Sequence, residues 1–178
     1  MRRVMTLVAM LATSPAWALT ATELDVWINS MPQIQGWLDQ HEDAMPKTSA
    51  SMEQGMAAMF QEGIKSLKTS GLYSEFGRKV SAAGFDSVEQ WTRVTTEVSL
   101  GMLAVEMSEQ GGSRDQVKQQ LAQLQQMRNA GGMPAEQLDA METMMRGTLK
   151  MMDEMEAVDA ADKTLVSGRM AELRQLMQ

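Results

Sequence analysis

The side chains with the clearest potential for chemistry in this sequence are methionines. The chain has 20 of them, no cysteine and a single histidine, His41. Thioether sulfurs are soft ligands that favour Cu(I) and similar metal ions. They are also flexible and polarizable, so they fill irregular cores and form adaptable surfaces for apolar partners. The densest run is METMMRGTLKMMDEM at positions 141–155, which contains six methionines.

Helical spacing places these six methionines on one face. An α-helix turns by about 100° per residue, which puts all six within an arc of about 120°. The opposite side carries polar and charged residues, among them Glu142, Arg146 and Lys150. The sequence therefore predicts an amphipathic helix with a methionine face. The members of this face are Met141, Met144, Met145, Met151, Met152 and Met155.

Three interpretations of the methionine face stay open. The first is ordinary core packing, in which methionine replaces leucine as a flexible filler. The second is an apolar face that binds another protein or a second copy of the chain, because methionine surfaces adapt to different partners. The third is a Cu(I) or Ag(I) site formed by thioethers alone. Its candidate ligands are Met141, Met145, Met151, Met155, Met52, Met56 and Met59.

The sequence offers no established catalytic motif. With one histidine and no cysteine, a multi-histidine metal centre and a Cys–His nucleophile are excluded. Serine–histidine catalysis would depend on His41, and no serine lies in a G-x-S-x-G motif. The spacing places His41 at the end of a helix, where exposed carbonyl groups favour a cation. We therefore expect a protein that is not an enzyme and carries no cofactor.

The first 18 residues have the pattern of a secretory signal peptide. Arg2 and Arg3 precede an apolar run at 4–12, and Ala16-Trp17-Ala18 forms an A-x-A cleavage site. The apolar run is too short to span a hydrocarbon core, which needs about 20 residues. The sequence predicts cleavage after Ala18 and export to the periplasm or beyond, which leaves a domain of residues 19–178.

The predicted mature chain is acidic and has no thiol. Loss of both signal-peptide arginines leaves 14 basic and 23 acidic residues, a net charge of −9. Such a surface repels nucleic acid. An exported chain without cysteine has no disulfides and must be held together by packing. We expect a soluble protein that binds another protein or itself, with no nucleic-acid partner and no stable membrane insertion.

Glycine and proline divide the mature chain into seven or eight predicted helices. Thr20 with Glu23 and Asp86 with Glu89 form capping boxes that begin two of them. Pro32 is predicted to separate the first two helices. Short connections between amphipathic helices predict an all-α, single-domain bundle. The predicted segments are about 20–31, 32–42, 49–69, 72–83, 88–110, 113–130, 134–157 and 159–177, with a linker at 45–48.

Two of these helix starts resemble segments of small secreted all-helical proteins of Gram-negative bacteria that have no assigned function. The segments are AGFDSVEQW at 83–91 and DAADKTLV at 159–166. The resemblance implies an exported bacterial α-protein. It brings no active-site residue with it.

Overall fold

The computed structural model describes residues 18–44, 54–110, 114–130 and 134–176, and within these ranges the chain is an all-α bundle with no β-strand. The predicted fold class is therefore confirmed. No helix in these ranges has the length and apolar character needed to cross a membrane. The helices are α1 (Ala21–Gln40), α2 (Met56–Thr69), α3 (Tyr73–Ala82), α4 (Val88–Gln110), α5 (Arg114–Ala130), α6 (Ala135–Ala157), α7 (Ala160–Ser167) and α8 (Met170–Leu176), with one 3-10 turn at Glu42–Ala44.

Some predictions fall outside the described residues. These are the signal peptide up to residue 17, the linker at 45–48, Met52, and the glycine pairs at 111–112 and 131–132.

Three predicted helix boundaries are wrong, and two of the errors offset each other, so the described residues still contain eight helices. Helix α1 continues through Pro32. Proline cannot donate to the carbonyl group of Ile28, but Pro32 lies on the exposed side while Ile28 and Ile34 are buried in the core. Packing of the buried face therefore keeps the helix continuous. The predicted last helix instead divides at a turn that contains Gly168.

Helix α2 begins later than the predicted start near Ser49. Gly55 has a φ of 85°, a backbone conformation that ends helical geometry on the N-terminal side of Met56. The Met56 N–H donates to the Glu154 carboxylate of α6 at 2.7 Å. A Cβ atom at position 55 would collide with that carboxylate. The positive φ at position 55 therefore favours glycine, and Glu154 of α6 accepts a hydrogen bond from the first N–H of α2.

The start of α4 is capped by a different residue from the one predicted. The Gln90 N–H donates to Ser87 Oγ at 3.1 Å, and the Gln90 side chain accepts from the Asp86 N–H at 2.7 Å. Glu89 instead accepts a hydrogen bond from the Tyr73 hydroxyl group at 2.7 Å. The capping prediction for Asp86 is wrong by one residue, because Ser87 is the better placed acceptor.

The main core is formed by α1, α2, α3, α4, α7 and α8 and contains aromatic rings. Trp27, Trp37 and Trp91 are buried, as their positions on apolar faces predict. The Phe76 ring lies 5.3 Å from Trp37 and 5.1 Å from Trp91 between centroids. The Trp27 Nε1–H donates to Thr95 at 2.9 Å, which joins α1 to α4 by a buried hydrogen bond.

A second, smaller apolar cluster joins α4 to α6. Its buried residues are Leu100, Met152 and Met155. Helix α5 packs against α6 as the other arm of a helical hairpin. The half-buried residues around this second cluster are Met56, Leu103, Ala104, Met107, Val117, Leu149, Met151 and Val158.

Helices α4 and α7 cross closely at Gly101. A Cβ atom at Gly101 would lie 2.9 Å from Val166 Cγ2 and 3.2 Å from its Cβ. Val166 is fully buried and β-branched, so its side chain cannot rotate away. The close crossing of α4 and α7 therefore requires glycine, which has no side chain, at position 101.

Replacing Gly101 by alanine tests this crossing. We expect Gly101→Ala to lower the free energy of unfolding by about 1–3 kcal/mol, because Val166 must move away from the new methyl group. Urea unfolding followed by circular dichroism measures the change. Gly36→Ala in α1 is the control, because a Cβ there meets no atom within 4 Å and alanine stabilises a helix by up to about 1 kcal/mol. Equal effects of the two substitutions would contradict the close crossing.

Candidate functional site

An open cleft lies where α4, α6 and α7 meet the start of α5. Its volume is about 620 Å³, inside the range of about 300–1,000 Å³ that is usual for ligand pockets. Apolar side chains of α4 and α6 form much of its wall, and charged and hydroxyl groups complete the lining. The lining residues are Ala104, Val105, Met107, Ser108, Glu109, Arg114, Met152, Met155, Glu156, Lys163, Thr164 and Ser167.

The apolar part of the cleft results from the spacing of residues on two helices. Leu100, Ala104 and Met107 of α4 are four and three residues apart, which places them on one face. Met152 and Met155 of α6 are three residues apart and pack against that face. The two helices thus bring three methionines to the cleft.

The structure divides the methionine face of α6 into a covered and an open half. Met152 and Met155 are 6% and 5% exposed, whereas Met141 and Met144 are 38% and 65% exposed. The reason is that the second cluster includes α6 residues only from Leu149 onward. The N-terminal half is joined to α5 by ion pairs of Arg128 with Asp139 and Glu142. Met145 and Met151 are half-buried.

The predicted thioether ligands are likewise divided. Met56, Met151 and Met155 belong to the second cluster. Met59 is exposed on α2, Met141 and Met145 belong to the earlier part of α6, and Met52 lies outside the described residues. In the described part of the chain, no group of three or more His, Asp or Glu side chains is arranged to hold a metal ion.

Met107 is a site residue that the sequence reasoning missed. The spacing of Val98, Met102 and Val105 predicts one apolar stripe on this helix, and these residues belong to the main core or pack against it. Met107 lies on a second apolar face of the same helix, together with Leu100. A search for two apolar stripes on one helix would have found it, because a helix between two clusters is apolar on both sides.

The charges around the cleft are arranged in pairs. Arg114 forms ion pairs with Asp153 and with Glu156, the latter at 2.9 Å. The Lys163 ammonium group donates to the Glu156 carbonyl oxygen at 3.3 Å. Glu109 accepts from Arg174 at 2.9 Å. The Arg114 Nε–H is buried without an acceptor among the described residues.

Two hydroxyl groups of the cleft, those of Ser108 and Thr164, form hydrogen bonds within their own helices. Ser108 donates to the Val105 carbonyl oxygen at 2.7 Å, and Thr164 donates to that of Ala160 at 2.8 Å. Neither bond involves a general base that would activate the oxygen as a nucleophile.

His41 lies away from the cleft, at the C-cap of α1 as the sequence predicts. Its ring stacks on Trp37 at 4.2 Å between centroids, and Nδ1 lies 2.8 Å from the Trp37 carbonyl oxygen. The Trp37 Nε1–H donates to Glu75 at 2.7 Å, and this bond is the main cause that lowers the pKa of Glu75 below its usual value. The contacts of His41 are those of a helix-end residue.

No protein-family model, curated protein or solved structure matches this chain.

Oxidation with hydrogen peroxide tests the division of the methionine face. We expect Met144 and Met141 to form sulfoxides faster than Met152 and Met155, because peroxide reaches an exposed thioether directly. Peptide mass spectrometry after short exposures measures each rate. The chain unfolded in urea is the control, in which the four rates should converge. Equal rates at Met144 and Met152 in the folded protein would contradict the covered half of the face.

Proposed function

We propose that this protein is an exported, non-catalytic binding protein whose cleft accepts an apolar segment of another polypeptide. The observation that carries the proposal is the open cleft whose apolar wall contains Met107, Met152 and Met155. Methionine has three rotatable side-chain bonds and a polarizable sulfur, so a wall of this kind adjusts to side chains of different shape. Such adaptable surfaces suit partners that share apolar character but not one sequence.

The polar rim of the cleft suits a polypeptide better than a small hydrocarbon. Arg114 and Lys163 supply donors, and Glu109 and Glu156 supply acceptors. A peptide backbone carries one donor and one acceptor at nearly every residue and needs partners for both. A rim with both kinds of group can satisfy the backbone while the methionines contact the side chains.

The open half of the methionine face extends the surface available to such a partner. Met144 precedes Met152 by eight residues on α6, which is about 12 Å along the helix axis. A bound segment that follows α6 from the cleft would reach the exposed Met144 and Met141. One bound segment would then contact both the covered and the open half of the methionine face of α6.

Export to the periplasm is supported by the pattern of the first 18 residues. Arg2-Arg3, the apolar run and Ala16-Trp17-Ala18 are the three parts of a signal peptide. The resemblance of 83–91 and 159–166 to secreted helical proteins supports the same location. In that compartment, the partner would be an exported polypeptide with exposed apolar residues.

Binding of an apolar peptide to the mature protein tests the proposed function. We expect Met107→Glu to weaken the affinity for a fluorescent Leu- and Phe-rich peptide at least about tenfold, because the carboxylate must lose water when the peptide covers it. Fluorescence anisotropy measures the affinity. Met59→Glu is the matched control, since Met59 is an exposed methionine that does not line the cleft.

The outcome is decided by comparing the two variants with the unsubstituted protein. Circular dichroism first establishes that both glutamate variants are folded. No peptide binding by the unsubstituted protein, or equal affinities of the two variants, would refute the cleft as the binding site.

A second candidate function is Cu(I) or Ag(I) binding, favoured by the gathering of five methionines in the second cluster. Three of the five line the open cleft, and the half-buried Met107 is the most exposed of these three. Thioethers select Cu(I) over the harder divalent ions. The five are Met56, Met107, Met151, Met152 and Met155.

Leucine substitutions separate the two candidates. Leucine keeps the volume and apolar character of methionine but removes the sulfur. If the cluster binds Cu(I), Met152→Leu and Met155→Leu should each weaken Cu(I) binding about tenfold or more in competition with a chelator. Peptide affinity should stay within about twofold, because packing and apolar character are kept. Met144→Leu, outside the cluster, is the control. Cu(I) binding no tighter than micromolar would refute the metal site.

A further inference from the structure

The backbone nitrogen of Leu19 is bonded to a buried carboxylate. The Leu19 N–H donates to Asp162 Oδ1 at 3.1 Å, across 143 positions of sequence. Both residues are buried. Asp162 belongs to the first turn of α7, so the bond joins the chain just before α1 to the start of α7. Leu19 is also the residue that directly follows the predicted cleavage site.

Two local features fix the position of the Leu19 nitrogen: the capping box of α1 and the burial of the Leu19 side chain. The predicted capping box is confirmed: the Glu23 N–H donates to Thr20 Oγ1 at 3.1 Å, and the Thr20 N–H donates to Glu23 Oε2 at 3.0 Å. Leu19 and Leu24 are the N′ and N4 residues of α1, and both are buried in the main core. Apolar residues at these positions form a hydrophobic staple that fixes how the chain enters the helix. Leu19 therefore holds its nitrogen against Asp162.

Arg93 is the cation that acts on Asp162, and its charge lowers the pKa of that carboxyl group. No lysine or arginine among the described residues forms a salt bridge with it, and nearby Arg93 is paired with Glu23 and Glu97. Burial is the main cause that raises the pKa of Asp162, with contributions from the negative charges of Asp159 and Glu23. The Leu19 N–H and Arg93 oppose this rise. Burial raises the pKa of Glu97 as well.

The space beside Asp162 is acidic. A cavity of about 460 Å³ adjoins Ala18 and Asp162, and three more carboxylates line it. They are Glu97 of α4, Glu154 of α6 and Asp159 at the N-cap of α7. A buried carboxylate is strongly destabilised unless a positive charge or several donors compensate it. An ammonium group at the position of the Leu19 nitrogen would provide both a positive charge and additional hydrogen-bond donors.

We propose that removal of the signal peptide after Ala18 creates this cation, so that the α-ammonium group of mature Leu19 forms a buried ion pair with Asp162. Water hydrolyses the Ala18–Leu19 peptide bond, which gives a carboxylate on Ala18 and an ammonium group on Leu19. The nitrogen keeps its place but changes from a neutral donor of one hydrogen to a cation with three. Asp162 is then the acceptor site for the processed N-terminus. The inference rests on the export part of the proposed function.

Processing therefore completes the fold as well as removing a targeting segment. The precursor has only an amide hydrogen bond at this position, whereas the mature chain gains a charge pair that joins α1 to α7. Cleavage one residue later would remove Leu19 from the staple, and cleavage one residue earlier would leave a neutral amide next to Asp162. The ion pair thus forms only when Leu19 is the first residue.

Acetylation of the N-terminus provides the test. Two forms of the mature chain are compared, one with a free Leu19 amine and one with Nα-acetyl-Leu19, which keeps the N–H donor but carries no charge. We expect the folded-to-unfolded ratio of the free form to be about tenfold higher in urea titrations at pH 6.5. That ratio corresponds to a rise of about one unit in the pKa of the amine on folding.

The pH dependence has a definite sign. The amine titrates near pH 7.7–8.0 in the unfolded chain, and Asp162 raises its pKa in the folded one. The extra stability of the free form is therefore fully present below about pH 7.7 and is lost as pH rises through the higher folded pKa. An NMR titration of the Leu19 amine measures this pKa directly. Asp159, Glu23, Glu97, Glu154 and Arg93 face the same region, and all five are the same in both forms.

Substitutions identify the partner of the amine. Asp162→Asn should remove the difference between the free and acetylated forms. Asp159→Asn neutralises another acid of the same cavity, and asparagine also caps helices, so most of the difference should persist. Equal stabilities of the free and acetylated forms, or an amine pKa at its ordinary value, would overturn the ion pair.

N-terminal sequencing of the exported protein tests the processing step separately. Leu19 as first residue is the expected result. Another first residue would overturn the proposed processing, and the comparison of free and acetylated Leu19 would still report on the ion pair. Neither experiment involves a bound peptide or metal, so failure of the binding proposal is distinguishable from failure of this one.

Discussion

Helix α4 is apolar on two sides, and the rest of the fold is arranged around it. One side, with Val94 and Val98, is buried in the main core against α1 and α3. The other side, with Leu100, packs on α6 through the second cluster. Helix α7 crosses between the two at Gly101, close to Val166. A single helix therefore determines both where the main core lies and where the methionines gather, because each cluster requires one of its faces.

Local signals in the sequence predicted the helices well, and tertiary contacts account for the errors. The capping box of Thr20 and Glu23 depends only on neighbouring residues, so the sequence alone predicts it. Helix α1 continues through Pro32 because its buried face packs on the core, which no local rule includes. The late start of α2 depends on Glu154, a residue 98 positions away. Such a cap becomes visible only when α2 and α6 are brought together.

The candidate site could be predicted in its chemistry but not in its exposure. Angular spacing correctly places the α6 methionines on one side of a helix, but spacing carries no information about which neighbour covers that side. Met152 is covered because α4 reaches it, and Met144 is open because α4 does not. Met107 was missed because its helix has two apolar stripes. The stripe that packs in the main core was identified from the sequence, and the second one was not looked for. The core-packing interpretation therefore describes the covered half of the methionine face. The open-surface interpretation describes the exposed half.

Helices α1, α2 and α7 all begin near one acidic cavity. Contacts at these three starts help to hold together an acidic chain that has no cysteine. Glu154 accepts from the first N–H of α2, Asp162 accepts from Leu19 just before α1, and Asp159 caps α7. The N-terminal end of a helix carries a partial positive charge that stabilises a nearby carboxylate. Three such ends therefore offset the mutual repulsion of acids that would otherwise destabilise this region. Because these carboxylates join segments that are far apart in sequence, they link the starts of α1, α2 and α7 in a chain that has no cysteine.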